Sequence, residues 1–272
     1  MQKRVDLHVH TNFSDGTFSP KEVLSYASKI GLSCIAICDH DVIDGIPPAI
    51  TLSETYNVEV IPGIELTAEK QGCEIHILGF YINWQDGQFQ KKLAQLCRQR
   101  IKRMQDMLDK FKALGMPLNM DEVTGIDKEG SIGRLHLARA LHKKGYTQTV
   151  DEAFKKYIAN GKPCYSSKIN LTPEEAIAEI IKVKGVPVLA HPAVMGKDDF
   201  ISSYVKHGLM GIEVYHSDHN PLMTARYEKM AKDLGLLMTG GSDCHGLGKA
   251  RILMGTTTVS YELVERLKNA RR

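Results

Sequence analysis

Short apolar runs alternate with helical segments along most of this chain, and the alternation limits the folds available to it. Strands are predicted at Val5–Val9, Cys34–Cys38, Val58–Ile61, Ile75–Tyr81, Val186–Ala190, Gly211–Tyr215, Leu236–Thr239 and Thr256–Val259. Helices are predicted at Pro20–Ile30, Pro173–Lys184, Pro221–Leu234 and Tyr261–Ala270, capped by Ser19, Thr172 and Ser260 where a cap precedes them. Seven or eight strand–helix units predict a parallel α/β barrel. The alternative, an open doubly wound sheet, would collect its ligands at one switch point.

Histidines and carboxylates follow almost every predicted strand. His8 and His10 lie two residues apart on one strand, so their imidazoles share a face, and Asp243 and His245 repeat this spacing. Barrels of this kind keep their chemistry at the carboxyl ends of the strands. We therefore predict one metal cage and a metal-dependent hydrolase. The predicted ligands are His8, His10, Asp15, His40, Glu65, His76, His191, Asp243 and His245.

Two of these residues have competing interpretations. Glu65 has no basic neighbour close in sequence, and a carboxylate there can bridge two cations about 3.5–4 Å apart. The alternative for Glu65 is an exposed loop glutamate. His76 lies inside an apolar run, where a histidine more often makes a hydrogen bond in the core.

The alternation stops between residues 88 and 168. This segment holds 17 Lys and Arg against 8 Asp and Glu, whereas the rest of the chain holds 18 against 24. Its apolar spacing predicts a long amphipathic helix, ended by Gly115 and Pro117, and two shorter helices. We expect a basic helical insertion over the mouth of a barrel formed by residues 1–87 and 169–272. Its charge favours an anionic substrate, and a solvated helical face is the alternative.

The remaining composition indicates an ordinary intracellular protein. The six cysteines show no framework spacing, so we expect free thiols in a reducing compartment. No apolar stretch is long enough to cross a membrane, and the first residues show no signal-peptide pattern. We expect a cytoplasmic protein with no obligatory protein partner.

Five motifs, in this order, resemble those of the PHP (polymerase and histidinol phosphatase) superfamily of phosphoesterases. They are His8-Val9-His10-Thr11 with Ser14-Asp15-Gly16, Asp39-His40-Asp41, Pro62-Gly63-Ile64-Glu65, Ala190-His191-Pro192 and Gly241-Ser242-Asp243-Cys244-His245. The resemblance covers the barrel on both sides of the insertion. It implies a distorted seven-stranded α/β barrel that binds two to three divalent cations.

The resemblance also implies three ligand sets. They are His8, His10, Glu65 and Asp243 for one cation, Glu65, His76 and His191 for a second, and Asp15, His40 and His245 for a third. Asp15 stands where some relatives carry histidine. Mixed imidazole and carboxylate ligands fit Zn²⁺, Mn²⁺ or Fe²⁺ better than Mg²⁺. The positive charge of the divalent cations exceeds the negative charge of the carboxylate ligands. The remaining positive charge suits a phosphate dianion that is attacked by a metal-bridging hydroxide. Glu65 is the expected catalytic ligand, shared between two cations.

Two runs in the insertion resemble a subgroup that contains nucleoside 3′,5′-bisphosphate phosphatases and 5′-to-3′ exoribonucleases. They are Gly133-Arg134-Leu135-His136-Leu137-Ala138-Arg139 and Gly161-Lys162-Pro163 with Ser167-Lys168. The resemblance implies that Arg134, His136 and Lys168 bind a second phosphate of the substrate. His219, after the sixth strand, is a candidate phosphate donor or general acid, and His216 and Asp218 are weaker candidates.

The sequence therefore predicts removal of the 3′-phosphate from a 5′-phosphorylated nucleotide, or 5′-to-3′ cleavage of short 5′-phosphorylated RNA. A histidinol-phosphatase-like enzyme is one alternative, and the basic insertion argues against its cationic substrate. A non-catalytic, metal-stabilised binding module is the other, since fold does not fix function. The complete set of nine ligands argues against loss of activity.

Overall fold

The computed structural model describes residues 3–125, 130–167, 171–248 and 251–271, and its strands form one sheet in the order β7-β6-β5-β4-β3-β2-β1-β8. The strands are β1 (Arg4–Val9), β2 (Leu32–Ile37), β3 (Glu59–Lys70), β4 (Cys73–Phe80), β5 (Val186–Leu189), β6 (Gly211–His216), β7 (Leu237–Gly241) and β8 (Val259–Ser260). A parallel bridge joins Val9 to Cys244 beyond β7, and the amide of His10 donates to the carbonyl of Cys244 at 3.0 Å. These contacts bring the two ends of the sheet together into a nearly closed barrel, which confirms the predicted fold class.

Helices follow most strands, as the alternation predicted. They are α1 (Pro20–Lys29), α2 (Ile46–Tyr56), α3 (Gly87–Ala113), α4 (Met120–Thr124), α5 (Arg134–Lys143), α6 (Val150–Ala153), α7 (Pro173–Lys182), α8 (Pro192–Met195), α9 (Ile201–Lys206), α10 (Pro221–Leu234) and α11 (Tyr261–Asn269). Ser19 and Thr172 form capping boxes that satisfy amides at the starts of α1 and α7. Ser260 occupies the N-cap of α11 as predicted, but its side chain makes no cap hydrogen bond.

Three details of the barrel differ from the prediction. The sheet has eight strands instead of seven, because the two-residue β8 pairs antiparallel with β1. β3 was predicted to end at Ile61 but continues to Lys70, and it forms an antiparallel hairpin with β4. Gln71 and Gly72 connect the hairpin with φ angles of 51° and 74°, as a two-residue turn of the favoured twist requires. β4 also pairs antiparallel with β5, so the sheet is mixed.

The helical segment between β4 and β5 has an apolar cluster of its own. Met107, Phe111, Leu137 and Leu141 are fully buried in it, together with Ile158 from a π-helical turn. A second cluster fills the barrel interior, and a third lies between the sheet and its outer helices. The insertion therefore has an apolar core of its own, beside the two clusters of the barrel.

Two simpler expectations can be compared with the fold. All six cysteines are free thiols, and four of them are buried. Among the described residues, no helix combines the length and apolar character needed to cross a membrane.

Candidate metal centre

Glu65 lies at the centre of the polar cluster at the barrel mouth. It sits in the middle of β3, and its side chain is 1% exposed. Five imidazoles surround its carboxylate: Oε2 is 3.3 Å from His8 Nε2, His10 Nε2 and His40 Nδ1, and Oε1 is 2.8 Å from His76 Nδ1 and 3.0 Å from His191 Nε2. One carboxylate oxygen therefore faces the first and third predicted ligand sets, and the other faces the second.

The first set has the spacing of ligands on one cation. The Nε2 atoms of His8 and His10 lie 3.6 and 3.1 Å from Asp243 Oδ1, and both lie 3.3 Å from Glu65 Oε2. Four ligands at about 2.1 Å from a tetrahedral Zn²⁺ stand about 3.4 Å apart. The four distances match that spacing, so these residues fit a divalent cation.

The second and third sets are also brought together. His76 Nδ1 and His191 Nε2 lie 3.2 Å apart, and both face Glu65 Oε1. Asp15 lies with Oδ1 3.2 Å from His245 Nε2 and Oδ2 3.9 Å from His40 Nε2. The third set is therefore the most open of the three.

Unmatched atoms in this cluster support a metal-binding role. His40 Nδ1 and Asp15 Oδ1 are buried without a well-formed hydrogen bond, and their nearest polar neighbours are other predicted ligands, Glu65 Oε2 at 3.3 Å and His245 Nε2 at 3.2 Å. Buried polar atoms without partners are costly and rare in proteins. Imidazole nitrogens and carboxylate oxygens are also the donors that Zn²⁺, Mn²⁺ and Fe²⁺ accept. The donor set thus fits the cations that the sequence predicts.

The carboxylates at the centre are ionised. Burial favours the neutral form of Glu65, but His40, His76 and His8 outweigh it and hold the pKa of Glu65 well below its usual value. Burial likewise opposes ionisation of Asp15, and His245 and His40 hold its pKa well below the usual value. Both side chains can therefore act as anionic ligands at neutral pH.

Glu213, which the sequence analysis did not identify, orients two of the imidazoles. It lies in β6, is fully buried, and places Oε1 3.0 Å from His8 Nδ1. Its Oε2 accepts the backbone N–H of His191 at 2.8 Å. A carboxylate on the outer nitrogen of a ligand histidine fixes the ring and raises its basicity. A charged residue inside the apolar run Gly211–Tyr215 was the available signal, since a buried carboxylate needs a partner.

The backbone at the cluster adopts conformations that most residues avoid. Asp41, His191 and Asp243 have φ angles of 53°, 24° and 51°. Such left-handed residues are uncommon outside glycine and concentrate at functional sites. Gly241 approaches so closely that a Cβ there would overlap the backbone nitrogen of His8. Side chains on both sides of the barrel closure are thus held by local backbone geometry.

A cavity of about 950 Å³ opens between the ligand sets and the insertion. Its barrel side includes the carboxylates and most of the imidazoles described above. The insertion side is basic, and its arginines are Arg100, Arg103, Arg134 and Arg139. One cavity therefore joins the candidate metal centre to a cationic wall.

The predicted substrate-binding residues are not all placed alike. Arg134 lines the cavity and pairs with Glu74 at 2.6 Å. His136 does not line it, because its Nδ1 accepts the N–H of Gly133 at the start of α5. Lys168 lies outside the described residues. Phosphate binding by His136 and Lys168 stays a prediction.

His219 lies one layer behind the cavity wall. Its Nδ1 donates to the carbonyl of Val214 at 2.8 Å, and its ring lies 5.4 Å from that of His216. The cavity is lined instead by His216, whose Nε2 is 3.7 Å from Asp243 Oδ2. A proton-donor role for His219 stays a prediction, whereas the two weaker candidates, His216 and Asp218, both line the cavity.

Comparison with known proteins identifies the architecture. The sequence profile of the PHP domain family matches residues 6–162, more than half of the chain. The chain belongs to the PHP domain family. A solved structure from Bifidobacterium adolescentis, described as a candidate metal-dependent phosphoesterase, superposes with a TM-score of 0.88 at 29% identity, covering 97% of this chain and 94% of that one. This PHP protein is a metal-dependent phosphoesterase, a hydrolase of phosphate-ester bonds.

Three relatives act on different phosphate esters. A phosphoribosyl 1,2-cyclic phosphate 1,2-diphosphodiesterase from Eggerthella lenta is 30% identical over 89% of this chain and 94% of its own length. A 5′-3′ exoribonuclease from Haemophilus influenzae is 30% identical over 90% of this chain and 91% of its own. A 3′,5′-nucleoside bisphosphate phosphatase from Chromobacterium violaceum is 28% identical over 93% of this chain and 91% of its own.

Proposed function

We propose that this PHP protein removes the 3′-phosphate of nucleoside 3′,5′-bisphosphates and cleaves short 5′-phosphorylated RNA in the 5′-to-3′ direction. The observation that carries the proposal is the single cavity shared by the ligand sets and the arginines of the insertion. A substrate with two phosphates can place one at the ligand sets and the other at the arginines. The exoribonuclease and the bisphosphate phosphatase among the relatives support this assignment.

The ligand sets are proposed to bind two to three Mn²⁺, Zn²⁺ or Fe²⁺ ions through the nine predicted ligands. Bound there, such cations supply Lewis-acid stabilisation of charge on the phosphate oxygens. Glu65 connects the sets, and Glu213 holds His8 and the backbone of His191 in place. Which phosphate reacts then depends on how the arginines of the insertion hold the rest of the substrate.

Arg134 is proposed to hold the 5′-phosphate. Its guanidinium is stacked 5.7 Å from the ring centres of both Phe154 and Tyr165, and its side chain is 19% exposed. A planar guanidinium held in this way can donate two parallel hydrogen bonds to phosphate. Arg103, 5.3 Å from the ring centre of Tyr165, adds positive charge to the same wall.

The six free thiols are consistent with the reducing, cytoplasmic location that the sequence predicts.

Substitution of Arg134 by methionine tests this assignment. We expect kcat/KM for a nucleoside 3′,5′-bisphosphate to fall about 10- to 100-fold, since a hydrogen bond to a charged group contributes roughly 1.5–3 kcal/mol. The value for a 3′-monophosphate should change little, because that substrate lacks the 5′-phosphate. Steady-state kinetics on both substrates measure the two effects.

Arg98→Met is the matched control, since Arg98 is an exposed arginine of α3 that does not line the cavity. Equal losses on both substrates would contradict the 5′-phosphate contact. Faster turnover of phosphoribosyl 1,2-cyclic phosphate than of any nucleoside bisphosphate would assign the enzyme to the activity of the Eggerthella lenta relative instead.

A further inference from the structure

Glu74 touches both walls of the cavity. It lies in β4, two residues before His76, and its side chain is 13% exposed. Its Oε1 accepts a hydrogen bond from Arg134 Nη2 at 2.6 Å and lies 3.1 Å from His76 Nε2. Its Oε2 accepts from Arg103 Nη2 at 2.8 Å. One carboxylate thus connects a predicted metal ligand with two arginines of the insertion.

The contact with His76 fixes the orientation of that ring. His76 Nδ1 faces Glu65 Oε1 at 2.8 Å, and with a cation bound at Nδ1 the ring would donate its Nε2–H to Glu74 Oε1, 3.1 Å away. A carboxylate at this position makes the inner nitrogen a stronger ligand, and loss of such a partner costs roughly 10- to 100-fold in metal affinity. Glu74 therefore holds the ring of His76 in place within the second ligand set.

The contact between Glu74 and Arg134, in contrast, weakens the binding of an anion to that guanidinium. Arg134 keeps its place through Phe154 and Tyr165, and Nη1 lies 3.4 Å from the carbonyl of Ile158. Glu74 neutralises part of its charge, and the Glu74 carboxylate repels any phosphate that approaches the same guanidinium. Arg103 is shared in the same way, since its Nε donates to the carbonyl of Ser166 and its Nη2 to Glu74.

We propose that Glu74 is a positioning and specificity-determining residue that strengthens metal binding at His76 and weakens the hold of Arg134 on the 5′-phosphate. The second half rests on the proposed function, because it takes Arg134 as the phosphate contact. Partial neutralisation of Arg134 lets a nucleoside 5′-monophosphate leave after the 3′-phosphate is removed. Only a substrate with two phosphates then gains enough from both walls to bind tightly.

Glu74→Gln tests the proposal, because the amide keeps the shape and one acceptor oxygen but removes the charge. Retained Mn²⁺ is counted by mass spectrometry after dialysis of the loaded protein against graded free Mn²⁺. We expect one class of site to lose roughly 10- to 100-fold in affinity. Calorimetric titration with a nucleoside 5′-monophosphate at saturating Mn²⁺ should show binding that is tighter by about tenfold.

The opposite signs separate this role from a purely structural one, which would weaken both kinds of binding. Glu54→Gln is the matched control, since Glu54 is an exposed carboxylate of α2 that does not line the cavity; it should change neither affinity. If Glu74→Gln weakens both affinities or alters neither, the proposal is wrong.

Arg134→Met provides a second variant that does not depend on the folding of Glu74→Gln. It should weaken 5′-monophosphate binding by about tenfold or more and leave Mn²⁺ affinity equal or higher, because Glu74 then acts on His76 alone. Loss of Mn²⁺ affinity in this variant would also overturn the proposal. Absence of 5′-monophosphate binding to the unaltered protein would instead refute the proposed function, while the Mn²⁺ measurement still reports on Glu74 and His76.

Discussion

Glu65→Gln is expected to lower kcat/KM for the preferred phosphate ester by about a thousandfold or more. Glu65 is the one residue whose two oxygens face separate ligand sets, with five imidazoles within 3.3 Å of its carboxylate. A neutral amide would leave the first and second sets one anionic ligand short. Metal ions supply several kcal/mol of transition-state stabilisation, and about 1.4 kcal/mol corresponds to a tenfold change in rate.

Steady-state kinetics and metal counting on the same preparation test this expectation. Metal content should fall together with activity. Glu228→Gln is the matched control, because Glu228 accepts a hydrogen bond from Tyr215 at 2.8 Å but does not line the cavity. A Glu65→Gln enzyme that keeps more than about a tenth of the activity would show that this carboxylate is not the shared ligand.

Arg100→Met should destabilise the protein by about 3–5 kcal/mol, the cost of removing one partner of a buried ion pair. Arg100 reaches from α3 to the loop after β2, where Nε donates to Asp41 Oδ2 at 2.5 Å, and to β3, where Nη2 donates to the Thr67 hydroxyl. Nη1 donates to the carbonyl of Ile132 at 3.1 Å. Asp41, already at a positive φ beside His40, would be left buried with no cation.

The free energy of unfolding, measured by chemical denaturation, gives the comparison. Arg266→Met serves as the control, since Arg266 forms an exposed pair with Glu262 on α11 and such pairs contribute about 0–1 kcal/mol. A loss below about 1 kcal/mol for Arg100→Met would mean that the insertion is not anchored through Asp41.

Local patterns predicted most of the side chains that meet at the barrel mouth. His8 and His10 share a strand face by the two-residue period, and Asp243 and His245 follow a strand end. Parallel strands deliver their carboxyl ends to one edge, so residues far apart in sequence meet there. Most of the nine predicted side chains meet for this reason, whereas Glu65 and His76 join the cluster from the antiparallel β3–β4 hairpin.

The β3–β4 hairpin shows where local reading failed. Pro62 and Gly63 predict the end of a strand, since Pro and Gly commonly bound strands. Pro62 instead pairs with Ile37 at the last position of the parallel register, and beyond it β3 continues by pairing with β4. The turn residues Gln71 and Gly72 between two alternating runs were the missed hairpin signal.

The contacts of Glu74 could not be predicted from sequence spacing. The sequence predicts Arg134, 60 residues after Glu74, as a phosphate contact, whereas the structure pairs its guanidinium with Glu74. Such a contact depends on how the insertion packs against the barrel, which no periodicity encodes. His136 illustrates the same limit, because its ring faces its own helix start instead of the cavity.

Product identification tests the central claim most directly. The metal-loaded protein is incubated with a nucleoside 3′,5′-bisphosphate, and the products are separated by chromatography, with a chelator-treated sample alongside. The account predicts nucleoside 5′-monophosphate and inorganic phosphate, no turnover after chelation, and recovery when Mn²⁺ is returned. A nucleoside 3′-monophosphate as the product, or unchanged turnover in the chelator, would contradict it.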